Sequence, residues 1–188
     1  ACLVVFKEFI RGYLMKTLVV VDMQNDFVTG SLGTKEAQAI VPNVKARVES
    51  GEFEEIFYTK DTHYSNYLTS TLEGKKLPVE HCIKNTIGWD IIPELQTQGF
   101  ITEEKDTFGS LGMLDDFIHY SDFPDVGDEI EICGLCTDIC VVSNALLIRA
   151  KFPNLKIIVR ANCCAGSTPE LHEAALKVME SCQIDVIR

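Results

Sequence analysis

The sequence predicts an α/β protein, a three-layer α/β/α sandwich built on a doubly wound, mainly parallel sheet of about six strands. Three observations carry that prediction. Short apolar, β-branched runs alternate with helix-periodic segments along the chain. The runs are apolar at successive positions rather than at every second one, which suits strands covered on both faces. The length, 188 residues, is enough for one core and short for two.

The elements follow in order. Residues 17–22 (TLVVVD) form a continuous apolar run closed by an acid, the first strand. Residues 36–50 place Ala39, Ile40, Val44 and Val48 at helical spacing. Residues 55–60 (EIFYTK) are the second strand. Residues 64–93 keep no period and are too long for a plain connection, which marks them as functional. Residues 100–105 (FITEEK) are the third strand, and residues 110–120 put Leu111, Leu114 and Ile118 on one helical stripe. The fourth strand is 130–134 (IEICG), followed by a helix over 138–151 carrying Val141, Ala145 and Ile148. The fifth is 156–161 (KIIVRA). Thr168-Pro169-Glu170 reads as an N-cap, a first-turn proline and an early acid opening the last helix. Residues 184–187 (IDVI) are the sixth strand. No repeat, low-complexity tract or linker divides residues 15–188, which form one domain. Residues 1–14 are partly apolar but broken by Lys7, Glu8 and Arg11. They are read as an extension outside the fold.

Charge narrows the function classes. Asp plus Glu is 28 against 17 for Lys plus Arg, a formal net charge of −11. That surface repels nucleic acid and anionic membranes and suits a small neutral substrate. No apolar run is long enough to span a bilayer, and no secretory signal is evident. A cytoplasmic location is expected. Eight cysteines in a mid-sized chain read as reduced packing residues rather than a disulfide scaffold.

In an open parallel sheet, ligands bind beyond the carboxyl ends of the strands. The first strand delivers Asp22 there. The second runs into Asp61-Thr62-His63, and the third ends in Lys105. The fourth leads through Gly134-Leu135-Cys136-Thr137-Asp138-Ile139 to Cys140 at a helix start. Taken singly, Asp22 could be a strand-end cap, Lys105 a solvated lysine and Cys140 a packing residue. Together they describe a nucleophile with its activators. The first turn of a helix favours a thiolate, and its free amides can hold an oxyanion.

The segments Val20–Phe27 (VVDMQNDF), Lys105 with Phe108, and Gly134–Val141 (GLCTDICV) resemble the isochorismatase-like cysteine hydrolases, in order and spacing, from about Met15 onward. The resemblance implies a catalytic triad of Asp22, Lys105 and Cys140, a cis peptide between Leu135 and Cys136, and an oxyanion hole from the amides of Cys136 and Cys140. Within the family, Asp61, His63 and the later His81 resemble the metal site of nicotinamidases. The usual pattern has another histidine six residues after the first, where this chain has Thr69. Some bacterial nicotinamidases use a glutamate in a Glu-Gly-Lys segment, and Glu73-Gly74-Lys75 matches that variant, so Glu73 completes the ligand set. Such donors suit a divalent metal, zinc first, with iron or manganese as substitutes. The resemblance further implies that Phe27, Leu77 and Phe108 wall a flat ring, with Leu77 near where many relatives carry tryptophan. It implies a homo-oligomer and a role in recycling nicotinamide towards NAD.

Other readings compete. One is a metal-independent amidohydrolase of the same family acting on another small amide or ureide, supported by Thr69. Another is a metal or redox module on Cys133, Cys136 and Cys140. A third is a catalytically dead relative that acts as a binding partner, against which the intact triad argues. Cys163-Cys164 beside the fifth strand read as packing, His172 as structural, His119 as surface, and Trp89 as an anchor for the long loop.

Overall fold

The computed structural model describes residues 15–95, 100–120 and 128–188, with 118–120 described by backbone alone. The extension 1–14 and the side chains of Ile118 and His119 lie outside the described residues. Six parallel strands form one sheet: β1 Lys16–Val21, β2 Glu55–Asp61, β3 Ile101–Lys105, β4 Glu129–Leu135, β5 Lys156–Ala165 and β6 Asp185–Ile187. Their spatial order is β3-β2-β1-β4-β5-β6, so the chain winds outward from β1 in one direction and then from β4 in the other. The expected doubly wound sheet is therefore present, and every pairing is parallel.

The four long helices are α1 Lys35–Val48, α2 Leu111–Tyr120, α3 Val142–Lys151 and α4 Pro169–Ser181. Strand alternation assigns the faces. Phe57, Val19 and Ile132 are in register across β2, β1 and β4, and Phe57 meets Phe117 of α2 edge-on at 4.8 Å. Glu131, one residue earlier on β4, points to the opposite face, where Arg47 of α1 reaches it at 2.8 Å. Helices thus cover both faces, and Leu18, Val19, Val20, Val21 and Ile130 are fully buried between them.

Two helical stripes differ in detail from the sequence reading. In α1 the inward residues are Ala37, Ile40, Val44 and Val48; Ala39 is exposed. In α2 Leu111 is 66% exposed, while Met113, Leu114 and Phe117 are buried. The short helix offers two apolar ridges, and the one holding Phe117 meets the sheet. Thr168 caps α4 by accepting from Leu171 N–H at 3.2 Å, with Pro169 in the first turn. β5 runs on to Ala165, so Cys163 and Cys164 lie inside it and are buried, consistent with packing. The long loop contains helical turns at Tyr67–Ser70, Leu72–Lys76 and Ile87–Trp89. Trp89 fixes it: Nε1 donates to Thr62 Oγ1 at 2.9 Å, and Lys60 Nζ stands 2.9 Å from the ring centroid.

Candidate active site

The sheet's central strands bring the chemistry together at their carboxyl ends. Val21 and Gly134 are partners across β1 and β4. A Cβ on Gly134 would lie 2.1 Å from the Val21 carbonyl oxygen, and Gly134 has φ +117, so this close crossing requires glycine. Directly beyond it Asp22 takes φ +47 and leaves the strand direction, while the Leu135–Cys136 peptide is cis.

Asp22, Lys105 and Cys140 meet in the interior. Lys105 Nζ lies 2.7 Å from Asp22 Oδ2 and donates to Cys140 Sγ at 3.5 Å. It is also 3.5 Å from Asp61 Oδ1. Thr59, buried on β2, donates to Asp22 Oδ1 at 2.6 Å and also accepts from the Asp22 N–H. Burial raises the Asp22 carboxyl above the ordinary range, although the Lys105 charge opposes it. Burial, then the Asp22 charge, holds the Cys140 thiol well above its ordinary value. Burial works against the Lys105 ammonium, but Asp22, Cys140 and Asp61 outweigh it and raise its pKa. The position at a helix start favours the thiolate, and the acid beside it can take the thiol proton. Burial acts against that ionisation, and it also makes the Asp22 carboxyl a stronger base for the thiol proton.

The turn bearing Cys140 is wider than an α-helical turn. Val141 N–H reaches back five residues to Cys136 C=O at 3.1 Å, and Ile139 N–H binds the same oxygen at 3.0 Å. Cys136 and Cys140, the expected oxyanion-hole residues, stand at the two ends of this turn, and both line the adjoining cavity. Three supports missed in the sequence hold it. Asn144 Nδ2 donates to Cys140 C=O at 2.8 Å, while Asn144 Oδ1 accepts from Ser110 N–H at 2.8 Å. Asp138 accepts from Ser167 N–H at 2.8 Å and from Ser167 Oγ at 2.6 Å. Thr137 Oγ1 and His172 Nδ1 are 2.8 Å apart, which fits the structural reading of His172. Short polar residues beside a cysteine carry no distinctive spacing, so these roles had no sequence signal.

The candidate metal ligands converge next to this group. Asp61, His63 and His81 are buried and offer ligand atoms all within 4.8 Å of one another. His63 Nε2 is 2.8 Å from Asp61 Oδ2, and His81 Nε2 is 3.5 Å from the same oxygen. Val79 C=O lies 2.8 Å from His81 Nδ1, which orients the ring and leaves Nε2 for the site. His63 Nε2 is buried without an aligned hydrogen bond, as a nitrogen kept for a cation would be. Glu73 Oε1 stands 3.9 Å from His63 Nε2 and 3.7 Å from His81 Nε2. Donors that share one ion at roughly 2.0–2.2 Å lie at most about 4.4 Å apart, and these four distances meet that limit. The residues therefore fit a divalent metal. Burial opposes ionisation of Asp61, but the adjacent His63 and His81 rings and the Lys105 charge outweigh it and lower its pKa. Burial, then Asp61, raises the Glu73 carboxyl. Thr69 is exposed and donates to Asn66 C=O, taking no part. Among the described residues the cysteines form no comparable cluster of ligands.

A cavity of about 320 Å³ joins the two groups. Asp61, Glu73 and His81 line it together with Cys136 and Cys140. Phe27, Leu77 and Phe108 all border it, as expected, and so do Leu32, Thr34, Ile139 and Ser167, which the sequence did not single out. Phe27 packs against the His81 ring at 5.5 Å, whereas Phe108 and Leu77, partly exposed, form the rim.

The isochorismatase domain profile matches residues 16–188. The chain is 27% identical over 176 residues to the nicotinamidase of Saccharomyces cerevisiae, covering 70% of this chain and 80% of that one. It is 24% identical over 189 residues to the nicotinamidase/pyrazinamidase of Mycobacterium tuberculosis, covering 92% and 98%. Among solved structures, nicotinamidase/pyrazinamidase from Bacillus subtilis superposes with TM-score 0.77 at 24% identity, covering 93% of this chain and all of that one. Pyrazinamidase of Pyrococcus horikoshii in complex with zinc gives 0.78 at 24%, covering 92% and 98%. N-carbamoylsarcosine amidase from Thermoplasma acidophilum gives 0.75 at 26%, covering 93% and 96%. The chain belongs to the isochorismatase family.

Proposed function

We propose that this member of the isochorismatase family is a nicotinamidase, which hydrolyses nicotinamide to nicotinate and ammonia through a thioester on Cys140. The observation that carries the reading is a single cavity lined both by Cys140, which Lys105 links to Asp22, and by the Asp61, Glu73 and His81 donors. A flat amide with a ring nitrogen fits a site that offers a nucleophile and a cation-binding centre in one cavity.

Asp22 takes the proton from Cys140 Sγ as the sulfur attacks the amide carbon. Lys105, in contact with both groups, offsets the negative charge as it moves from sulfur to substrate. The amide oxygen gains charge and rests on the N–H groups of Cys136 and Cys140. Asp22 then gives its proton to the departing ammonia, which leaves a thioester. Asp22 next accepts a proton from water, whose oxygen attacks the thioester carbon; the carbon–sulfur bond breaks, nicotinic acid leaves and loses its proton to solvent as nicotinate, and Asp22 returns its proton to the sulfur, restoring the thiol. Asp61, His63, Glu73 and His81 would hold the metal, zinc first, which when bound would anchor the pyridine nitrogen. Phe27, Leu77 and Phe108 would confine the ring.

Ammonia release from nicotinamide by the purified protein, with and without a chelator, tests the reading. Turnover should fall with metal removal and return with zinc. Cys140→Ala should lose at least about four orders of magnitude in kcat/KM. Full turnover by that variant would sink the mechanism, and activity indifferent to thorough metal removal would sink the metal assignment. Thr69 in place of histidine, together with the likeness to N-carbamoylsarcosine amidase, favours one alternative: a metal-independent amidohydrolase of another small amide or ureide. That reading expects ammonia from such substrates and none from nicotinamide.

A further inference from the structure

The first strand ends before the second. β1 and β2 are in register from Thr17 and Glu55 to Val21 and Thr59, after which Asp22 turns away. β2 continues to Asp61. In a parallel strand a residue's N–H and C=O face the same neighbour, and successive residues face opposite neighbours. Thr62 N–H binds Lys105 C=O on β3 at 2.8 Å. Asp61, one residue earlier, must therefore face the space that β1 has left. Its buried main-chain groups need partners there.

The Gln24 side chain supplies both. Its Oε1 accepts from Asp61 N–H at 2.8 Å, and its Nε2 donates to Asp61 C=O at 2.9 Å. The remaining Nε2 proton goes to Trp89 C=O at 2.8 Å. Gln24 is fully buried, and each polar group of its amide is used. One side chain stands in for the missing strand residue. The carboxylate thus placed is the one shared by the whole site: Asp61 Oδ1 is 3.5 Å from Lys105 Nζ, and Oδ2 is 2.8 Å from His63 Nε2 and 3.5 Å from His81 Nε2. The next two side chains extend the grip to the loop beyond His81. Asn25 Nδ2 donates to Ile87 C=O at 2.8 Å, and Asp26 accepts from Cys82 N–H at 2.8 Å.

We propose that Gln24 is a positioning residue for the metal centre: its amide holds the Asp61 backbone so that the carboxylate faces His63 and His81. The inference rests on the metal-site reading above. A purely structural Gln24 would affect folding stability and leave ion binding alone, so ion binding is the discriminating measurement.

The test is zinc affinity of the full chain by competition with a chromophoric chelator, for the wild type, Gln24→Met, Asp61→Asn and the double variant. Gln24→Met keeps the length and removes every hydrogen bond. It should weaken zinc binding by about 10–100-fold, the usual effect of losing a group that orients a metal ligand. In the Asp61→Asn background the same change should have little further effect, because the oriented carboxylate is already gone. Gln24→Met binding zinc as tightly as the wild type, or losing the same factor with and without Asp61, overturns the inference. If Gln24→Met does not fold, Gln24→Asn carries the same test, since its shorter amide cannot reach both Asp61 groups. A wild type that fails to bind zinc overturns both this inference and the metal assignment. A tight wild type with an equally tight variant overturns this inference alone.

Discussion

Replacing Lys105 by methionine should separate the electrostatics of the site from its shape. The lysine is almost fully buried, 2.7 Å from the Asp22 carboxylate and 3.5 Å from both Asp61 and Cys140 Sγ. Methionine fills similar volume without charge. Two unit charges about 4 Å apart at an effective dielectric constant near 20 attract by about 4 kcal/mol. Burial already raises the Asp22 carboxyl, and Lys105 is the main force opposing that rise. Without it, the Asp22 carboxyl should rise further, and a smaller fraction of it should be free to take the thiol proton. At about 1.4 kcal/mol per decade, 4 kcal/mol corresponds to a loss of about a thousandfold in kcat/KM near pH 7. The sign gives a second signature. The acidic limb of the pH–rate profile reports ionisation of the base, so it should move to higher pH and activity should partly recover in alkaline buffer. Initial rates of ammonia release from pH 5 to 9 would measure both effects. A Lys105→Met enzyme within tenfold of wild type at pH 7, with its acidic limb unmoved, would refute this account of the base.

Glu73→Gln should weaken zinc affinity by about 10–100-fold while leaving the apo protein's Tm within a few degrees, because Glu73 sits on a partly exposed turn; chelator competition and a thermal melt measure the two. Glu131→Gln should destabilise the fold by about 3–5 kcal/mol, since it strips a buried carboxylate from the paired guanidinium groups of Arg47 and Arg160. Urea unfolding at pH 7 would show this as a lower midpoint. Burial raises the Glu131 carboxyl, but Arg160 and Arg47 outweigh burial and hold it low in the folded state. Its stabilisation is therefore complete above the ordinary glutamate range and disappears as pH falls through the folded value, so the wild type and Glu131→Gln should converge in acid.

The sheet was legible because its strands are buried on both faces: the TLVVVD run carries the information that Leu18 to Val21 are enclosed. The helix faces were less so. Leu111 and Phe117 are both apolar, and nothing local states which one meets the sheet; that follows from Phe57 lying two strands away in sequence. The Asp22, Lys105 and Cys140 group was legible from position, since each ends a strand or opens the turn after one. Thr59, Asn144 and Gln24 were not, because a buried polar residue has the same identity whether it caps, braces or idles. How readily Cys140 ionises is not legible for a related reason. Sequence places a cysteine near a helix start, but how far water is excluded depends on every element packed around it.

The sheet's edges explain why catalytic and metal-binding groups share one cavity. β1 ends at Val21, beside the close approach of Gly134, while β2 continues two residues past Thr59, where its pairing with β1 ends. That offset places Asp61 one step beyond Asp22, close enough for Lys105 from β3 to touch both carboxylates. Lys105 thereby links the Asp22 carboxylate and the thiol to the Asp61 carboxylate beside the histidines. It follows that a change at either acid should be felt at the other through Lys105. Asp61→Asn would leave Lys105 wholly to Asp22, and Asp22 would become a weaker base, so the loss of activity from Asp61→Asn should persist at saturating zinc. Complete rescue of that variant by excess zinc would show that the two centres act independently despite their shared cation.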